Sequence, residues 1–274
     1  MAGVENRDSV VRCAGLHRAT LWAVLGLAVL GGVHSAYGEP VKVRLVEGNT
    51  RGFLVLRTLD GRPLAHGELT QRPGGGVIDS RLALSFADGS VWDERVTFSQ
   101  NAVFRLEAYR LRQHGPSFPT SEVSFDRRSG RFTARTQDQK GDEIKDASGE
   151  LDMPADLYNG MALGLLKNLV PGRSASGQIV AFTPRPRLVR MELTHEADDT
   201  VRLGAAIHTA RRYLVRLEVG GLTGVIASLV GKDPPDLRYW LVTGEVPAFV
   251  KFEGAMFLNG PPWRLELTTV EWPG

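Results

Sequence analysis

The chain has one cysteine, Cys13, and it lies near the N-terminus. Past it there is no thiol, which excludes disulfides, thiolate nucleophiles and cysteine-ligated metal from the rest of the molecule. An excess of one charge is also missing. The 274 residues carry a formal net charge of +2, and basic side chains alternate with acids in stretches such as DRRSGRFTARTQDQKGDE. Such scatter makes no basic stripe for nucleic acid. Long apolar runs are absent too. The run LWAVLGLAVLGGV, Leu21 to Val33, is shorter than the ~20 residues a helix needs to span a bilayer. No internal repeat of fixed period is present.

The N-terminal stretch is nevertheless patterned. Arg7, Arg12 and Arg18 precede the apolar run, and the small residues Ala36 and Gly38 follow it. A charged region, a short apolar region and small residues before a cut make a secretory signal peptide. It is expected to cover residues 1–38, with cleavage near Gly38 and export to the periplasm or beyond. The alternative is an uncleaved N-terminal membrane anchor. Residues 39–274 are expected to form a single β-rich domain. Without disulfides it must be stabilised by its core, and it is long enough to supply one.

From Val41 onward the period is mostly two, the mark of strands with one apolar and one wet face. In VIDSRLALSF, Ile78, Leu82, Leu84 and Phe86 alternate with polar or small residues. Asp88-Gly89 then signals a hairpin turn. In VWDERVTFS, Trp92, Val96 and Phe98 face one way, and Asp93, Arg95 and Thr97 the other. VFRLEAYRLR places Phe104, Leu106 and Ala108 on one face, and EVSFDRRSGRFTAR turns at Arg128-Ser129-Gly130. The polar stretch at 136–150 reads as a long exposed hairpin tip or a loop, with a solvated connection favoured. RLVRMELTHE, VRLGAAIHTA and RYLVRLEV are expected strands, as are LRYWLV, AFVKFEG and PPWRLELTTV.

One segment breaks this rhythm. In LDMPADLYNGMALGLLKNL, Leu157, Met161, Leu165 and Leu169 recur every four residues, which predicts an amphipathic helix near 154–169. Pro154 suits its first turn, Asp152 and Asp156 its positive end, and Pro171-Gly172 its stop. Gly160 and Gly164 flank the apolar stripe and would let a partner surface come close. A second apolar stretch, LTGVIASLV at 222–230, is too short to span a membrane and reads as a buried short helix or plug. The fold class that follows is mainly β. A curved antiparallel sheet or partly open barrel is expected, with the helix and the plug capping its concave face.

The stretches LDMPADLYNGMALGLLKNL and GLTGVIASLVGKDPPDLRYWLVTGEVPAFVKFEGAMFLNGPPWRLEL resemble uncharacterised exported bacterial proteins of a domain-of-unknown-function family. The resemblance covers most of the chain after the signal peptide. It implies a periplasmic β-rich domain and brings no activity or site residues. At the level of layout only, the pattern is similar to lipoprotein carriers and related lipid-binding half-barrels.

No stretch of the sequence carries a complete reactive constellation. In GLTGVIASLVGKD six residues separate Gly224 from Gly231, where a phosphate loop has four, and Asp233 stands where Ser or Thr should hold magnesium. His195, Glu196, Asp198 and Asp199 in THEADD read as an exposed turn, because neighbouring strand residues point to opposite faces. His66 and Glu68 share a face but are too few for a metal. Ser228 and Lys232 have weak geometry, and no G-x-S-x-G elbow exists. No catalytic residue, metal ligand or cofactor is assigned, and the chain is not expected to be an enzyme.

The expectation is a binding module for a lipid or other apolar ligand. Leu157, Met161, Leu165, Leu169, Leu222, Val225, Ile226 and Leu229 would line or cap the pocket. If the interior is filled, the same side chains are simply core. The alternative is an envelope scaffold or protein-interaction domain without a small ligand, with an envelope protein as partner. Phe249, Phe252, Phe257 and Trp263 separate the two. Pointing inward they build a pocket wall, and exposed together they form an interaction patch.

Overall fold

The structure is a computed structural model that describes residues 40–137, 143–183, 185–203, 206–218 and 236–271. The expected signal peptide lies outside these residues. So does the expected plug with Leu222, Val225, Ile226 and Leu229.

The chain first lays down eight strands, β1 (Thr50–Thr58), β2 (Pro63–Gly74), β3 (Val77–Phe86), β4 (Val91–Gln100), β5 (Phe104–His114), β6 (Ser121–Asp126), β7 (Arg131–Gln137) and β8 (Ile144–Glu150). A helix follows, α1 (Ala162–Asn168). Six more strands complete it, β9 (Ala175–Thr183), β10 (Arg185–Leu203), β11 (Ala206–Glu218), β12 (Leu237–Val242), β13 (Ala248–Ala255) and β14 (Pro262–Glu271). All belong to one sheet, in the order β8-β7-β6-β5-β4-β3-β2-β1-β14-β13-β12-β11-β10-β9. Neighbouring strands are antiparallel throughout, as between β1 and β14 or β10 and β11. The chain therefore starts mid-sheet, builds out to the β8 edge, crosses to the β9 edge, and builds back until β14 meets β1. The crossing segment carries α1, which answers why a helix interrupts so many strands.

The sheet curls. Phe182 on β9 packs against Phe125 on β6 at 6.3 Å and Phe132 on β7 at 5.8 Å between ring centres. Residues near opposite ends of the strand order thus touch, although no ladder joins β8 to β9 among the described residues. Bulges help the bending, because each adds a residue to one strand and sharpens the twist. They interrupt the register at Thr97/Phe98, Phe53/Leu54 and Trp240/Leu241.

The crossing segment is anchored by polar contacts at both ends. The Arg127 guanidinium donates to the carbonyls of Met153 and Pro154 at 2.6 and 2.9 Å. At the far end, the Asn168 Oδ1 accepts from the backbone N–H groups of Arg44 and Leu45 at 2.6 and 2.7 Å. Lys167 pairs with Glu47 at 2.8 Å, and the Tyr158 hydroxyl accepts from the Val41 N–H at 2.9 Å. Residues 41–47 thus form a strap over the segment. These bonds satisfy backbone groups that would otherwise be orphaned in a buried connection.

Several expectations need correction. The helix is shorter than 154–169 and spans Ala162–Asn168. Residues 156–158 instead bridge β9, where the Tyr158 N–H donates to the Gln178 carbonyl and the Gln178 N–H to the Asp156 carbonyl, both at 2.8 Å. Gly160 then turns at a φ of 68°, outside the helical range of ordinary residues. Asp156 does not serve a helix N-terminus. It is buried and accepts from the Gln178 side chain at 3.0 Å.

The solvated connection at 136–150 contains β8, whose exposed side chains hid a strand that only edges the sheet. THEADD is no turn either. It runs through β10, with a bulge between His195 and Ala197. Glu196 and Asp199 are held by Arg212 on β11, Glu196 also by Arg238 on β12, and Asp198 by His195. The expected strands RLVRMELTHE and the start of VRLGAAIHTA are therefore continuous. Ala108 does not share the inward face of Phe104 and Leu106. The bulge opposite Thr97/Phe98 shifts the phase, so Tyr109 points inward instead.

Candidate functional site: an apolar cavity with a polar stripe

Alternation on β1 to β5 sends every second side chain inward. The same holds on β9 to β14, so the curled sheet gathers two sets of apolar side chains. Between them lies a cavity of about 1090 Å³. Ligand pockets typically run about 300–1,000 Å³, so the space suits a whole organic molecule. Leu54, Leu69, Leu82 and Leu265 line it from the centre of the sheet, and Ile179, Met191, Val215 and Leu217 from the β9 side. Phe249, Phe252 and Phe257 also line it. Trp263 is buried beside Phe257, so these aromatics form wall and the packing behind it rather than a surface patch.

At one end an aromatic cluster closes the packing. Phe118, from the loop between β5 and β6, meets Phe86 edge-on at 5.2 Å, Phe257 at 5.8 Å and Trp92 at 6.1 Å. Trp263 lies 5.7 Å from both Phe86 and Phe257. Edge-to-face pairs of this kind contribute about 0.5–1.5 kcal/mol beyond area burial.

The crossing segment supplies another part of the lining through residues 158–164. Of the four described residues proposed from the sequence, Met161 faces the cavity. Leu157, Leu165 and Leu169 are buried in the core cluster that also holds Phe98, Phe104, Tyr213 and Leu241. Leu163, which the four-residue spacing passed over, lines the cavity instead. Gly160 earns its place by contact. A Cβ there would lie 2.5 Å from Val96 and 3.3 Å from the Glu94 carboxyl. Gly164 has only ordinary room around it.

The lining is not uniformly apolar. Four adjacent strands each place one polar side chain in it: Gln71 on β2, Ser80 on β3, Glu94 on β4 and Tyr109 on β5. Gln71 and Ser80 stand directly opposite each other in the ladder, and Ser80 stands opposite Val96, next but one to Glu94. The Tyr109 hydroxyl donates to Glu94 Oε1 at 2.8 Å. Glu94 keeps some accessible surface because it faces the cavity, but its surroundings are protein interior. Burial holds its carboxyl above the usual range, although the Tyr109 hydrogen bond pulls the other way. Burial, and then the nearby Glu94, raise the Tyr109 phenol well above normal, and the same two causes raise Tyr239. The indole Nε1 of Trp92, two residues from Glu94 on β4, is buried with no hydrogen-bond partner among the described residues.

Sequence reasoning missed this stripe, though a signal existed. Glu94 sits in the inward set Trp92, Val96 and Phe98, the wrong parity for a solvated acid. Its raised carboxyl sets the sign of a pH effect. A group whose folded pKa lies above its unfolded value contributes stability fully below the unfolded pKa. That contribution is lost as the pH climbs through the folded pKa. Glu94→Gln removes the ionisation, so its thermal midpoint is expected to exceed the parent's at about pH 8 and to match it near about pH 4. Differential scanning calorimetry at the two pH values measures this. A variant less stable at the higher pH would show that the carboxylate is not penalised there.

What these features define is a class: a β-rich protein built on one long antiparallel sheet that curls around an interior cavity. No family model matches the chain, and no curated protein does. Among solved structures it is similar to a β-barrel-like protein of a domain of unknown function from Brucella abortus. The two share 11% identity with a TM-score of 0.45, over 84% of this chain and 98% of that one. That protein is of the same kind as the β-rich proteins of unknown function that the sequence resembles. No site residue comes to this chain from it.

Proposed function

We propose that the domain is an exported binding module for a lipid or other apolar ligand. The observation that carries this reading is the cavity of about 1090 Å³ lined chiefly by aliphatic and aromatic side chains. A protein interior is normally packed to crystal-like density, and voids larger than a water are few. A space this large is therefore better explained as a place for a guest than as imperfect core. In this reading the crossing segment acts as a lid on the concave side, with Met161 and Leu163 touching the guest. Leu157, Leu165 and Leu169 hold the lid down by packing beneath it. The reading involves no reaction and no cofactor, and it places the protein in the periplasm, delivered there by residues 1–38.

The scaffold alternative would use an exposed strand edge. β8 is an edge strand, and Lys145, Asp146 and Glu150 on it are exposed. Charges on an edge discourage pairing with another chain, which weighs toward the cavity. The test is native mass spectrometry of protein purified from the periplasm, followed by lipid extraction. A stoichiometric apolar molecule is expected. Repeated recovery of empty, monodisperse protein would shift the assignment to the scaffold.

A further inference from the structure

Resting on that binding reading, we infer that the cavity selects an amphiphile with a neutral hydroxyl-bearing head, which the polar stripe around Glu94 recognises. Chains headed by carboxylate or phosphate are rejected.

The first argument is charge. Among the described lining residues there is one carboxyl group, Glu94, and no lysine, arginine or histidine. An anionic head would enter a low-dielectric space with no counter-charge, beside the one acid present. The second is hydrogen-bond capacity. A carboxyl oxygen pair can accept about four hydrogen bonds, and among the described residues Tyr109 is the one donor bonded to Glu94. Acceptor capacity is therefore left over. A head group that brings its own donor can fill it.

A hydroxyl donates to the carboxyl without bringing a charge into the cavity. An ammonium would need Glu94 ionised to gain a charge pair, in a site where burial disfavours that state. Gln71 and Ser80 add neutral polar groups on the adjacent strands, which suits a neutral head as well. The rest of the lining takes the apolar chain.

The experiment uses the mature protein and Nile red, a neutral apolar dye, as the reporter of cavity occupation. Dodecanol, dodecylamine and laurate compete for it. Dodecanol is expected to displace the dye at the lowest concentration, with laurate weaker by about tenfold or more. In Glu94→Leu, dodecanol's advantage over laurate should fall by about tenfold, each competition being referred to the dye's own affinity for that variant. Glu94→Gln keeps an acceptor and should hold dodecanol within about twofold. Laurate or dodecylamine competing as well as dodecanol would overturn the inference. So would an unchanged advantage of dodecanol over laurate in Glu94→Leu. In those cases Nile red binding leaves the cavity reading standing. If no dye enters the parent, the binding reading fails and this inference with it.

Discussion

A Leu165→Asp variant is expected to show no cooperative unfolding transition and to be recovered mainly as aggregate. Leu165 is 1% exposed, at the heart of α1 and of the larger core cluster. Truncating a buried leucine costs about 2.7–5.0 kcal/mol. Leaving a carboxyl there without partners adds at least about 1–3 kcal/mol. The sum approaches the whole stability of an ordinary domain, about 5–15 kcal/mol. The location amplifies the loss, because this segment is the connection between the β8 and β9 edges. Leu163→Ala is the control. Leu163 is half-buried and faces space that is already open, so its removal makes no new hole in packed core. It should cost about 1 kcal/mol and keep a sharp transition, with weaker Nile red binding. Circular dichroism during denaturant titration reads both. A stable, cooperative Leu165→Asp protein would show that the crossing segment is not docked in the core.

That contrast between two residues on one short helix shows what the sequence could reveal. Strands on the central part of the sheet were legible because one face is dry and the other wet. Ile78, Leu84 and Phe86 point in, while Arg81 points out to a bidentate pair with Asp93 at 2.9 Å. The turns at Asp88-Gly89 and Arg128-Ser129-Gly130 were legible because each needs a glycine at positive φ, 85° and 67° here. The edge strand β8 was not, since an edge with few buried side chains loses the alternating signal. The four-residue spacing of Leu157, Met161, Leu165 and Leu169 marked the right residues as buried but for mixed reasons. Leu157 is buried through a strand-like bridge to Gln178 and Leu165 through a helix. Periodicity reports which side chains are dry, and backbone hydrogen bonds decide how they become so.

The cavity was less legible than the fold. Its lining comes from eleven strands and the crossing segment, and no local pattern distinguishes a wall leucine from a core leucine. Bulges made this harder, because one extra residue reverses the parity of everything beyond it. The bulge near Thr97/Phe98 is what brings Tyr109 inward, where it meets Glu94 diagonally across the strand pair. What alternation did offer was an acid out of place, and that residue lies at the centre of the binding inference.

Gly160→Ala is expected to lower the unfolding free energy by about 2–5 kcal/mol, and Gly172→Ala by only about 1–2 kcal/mol. Both glycines adopt left-handed backbone, at φ 68° and 72°. A side chain there costs about 1–2 kcal/mol in either case. They differ in what surrounds them. A Cβ at Gly172 meets nothing within 4 Å, whereas one at Gly160 lies 2.5 Å from a Val96 methyl and 3.3 Å from the Glu94 carboxyl. Val96 is 3% exposed on β4 and cannot move into solvent, so the overlap must displace the crossing segment or distort the core, at about 1–3 kcal/mol. The difference between the two variants therefore measures how tightly the segment sits on β4. Denaturant titration of both proteins gives that difference directly. Equal losses would mean that the segment stands off from Val96, and with it the wall that Met161 and Leu163 form over the cavity.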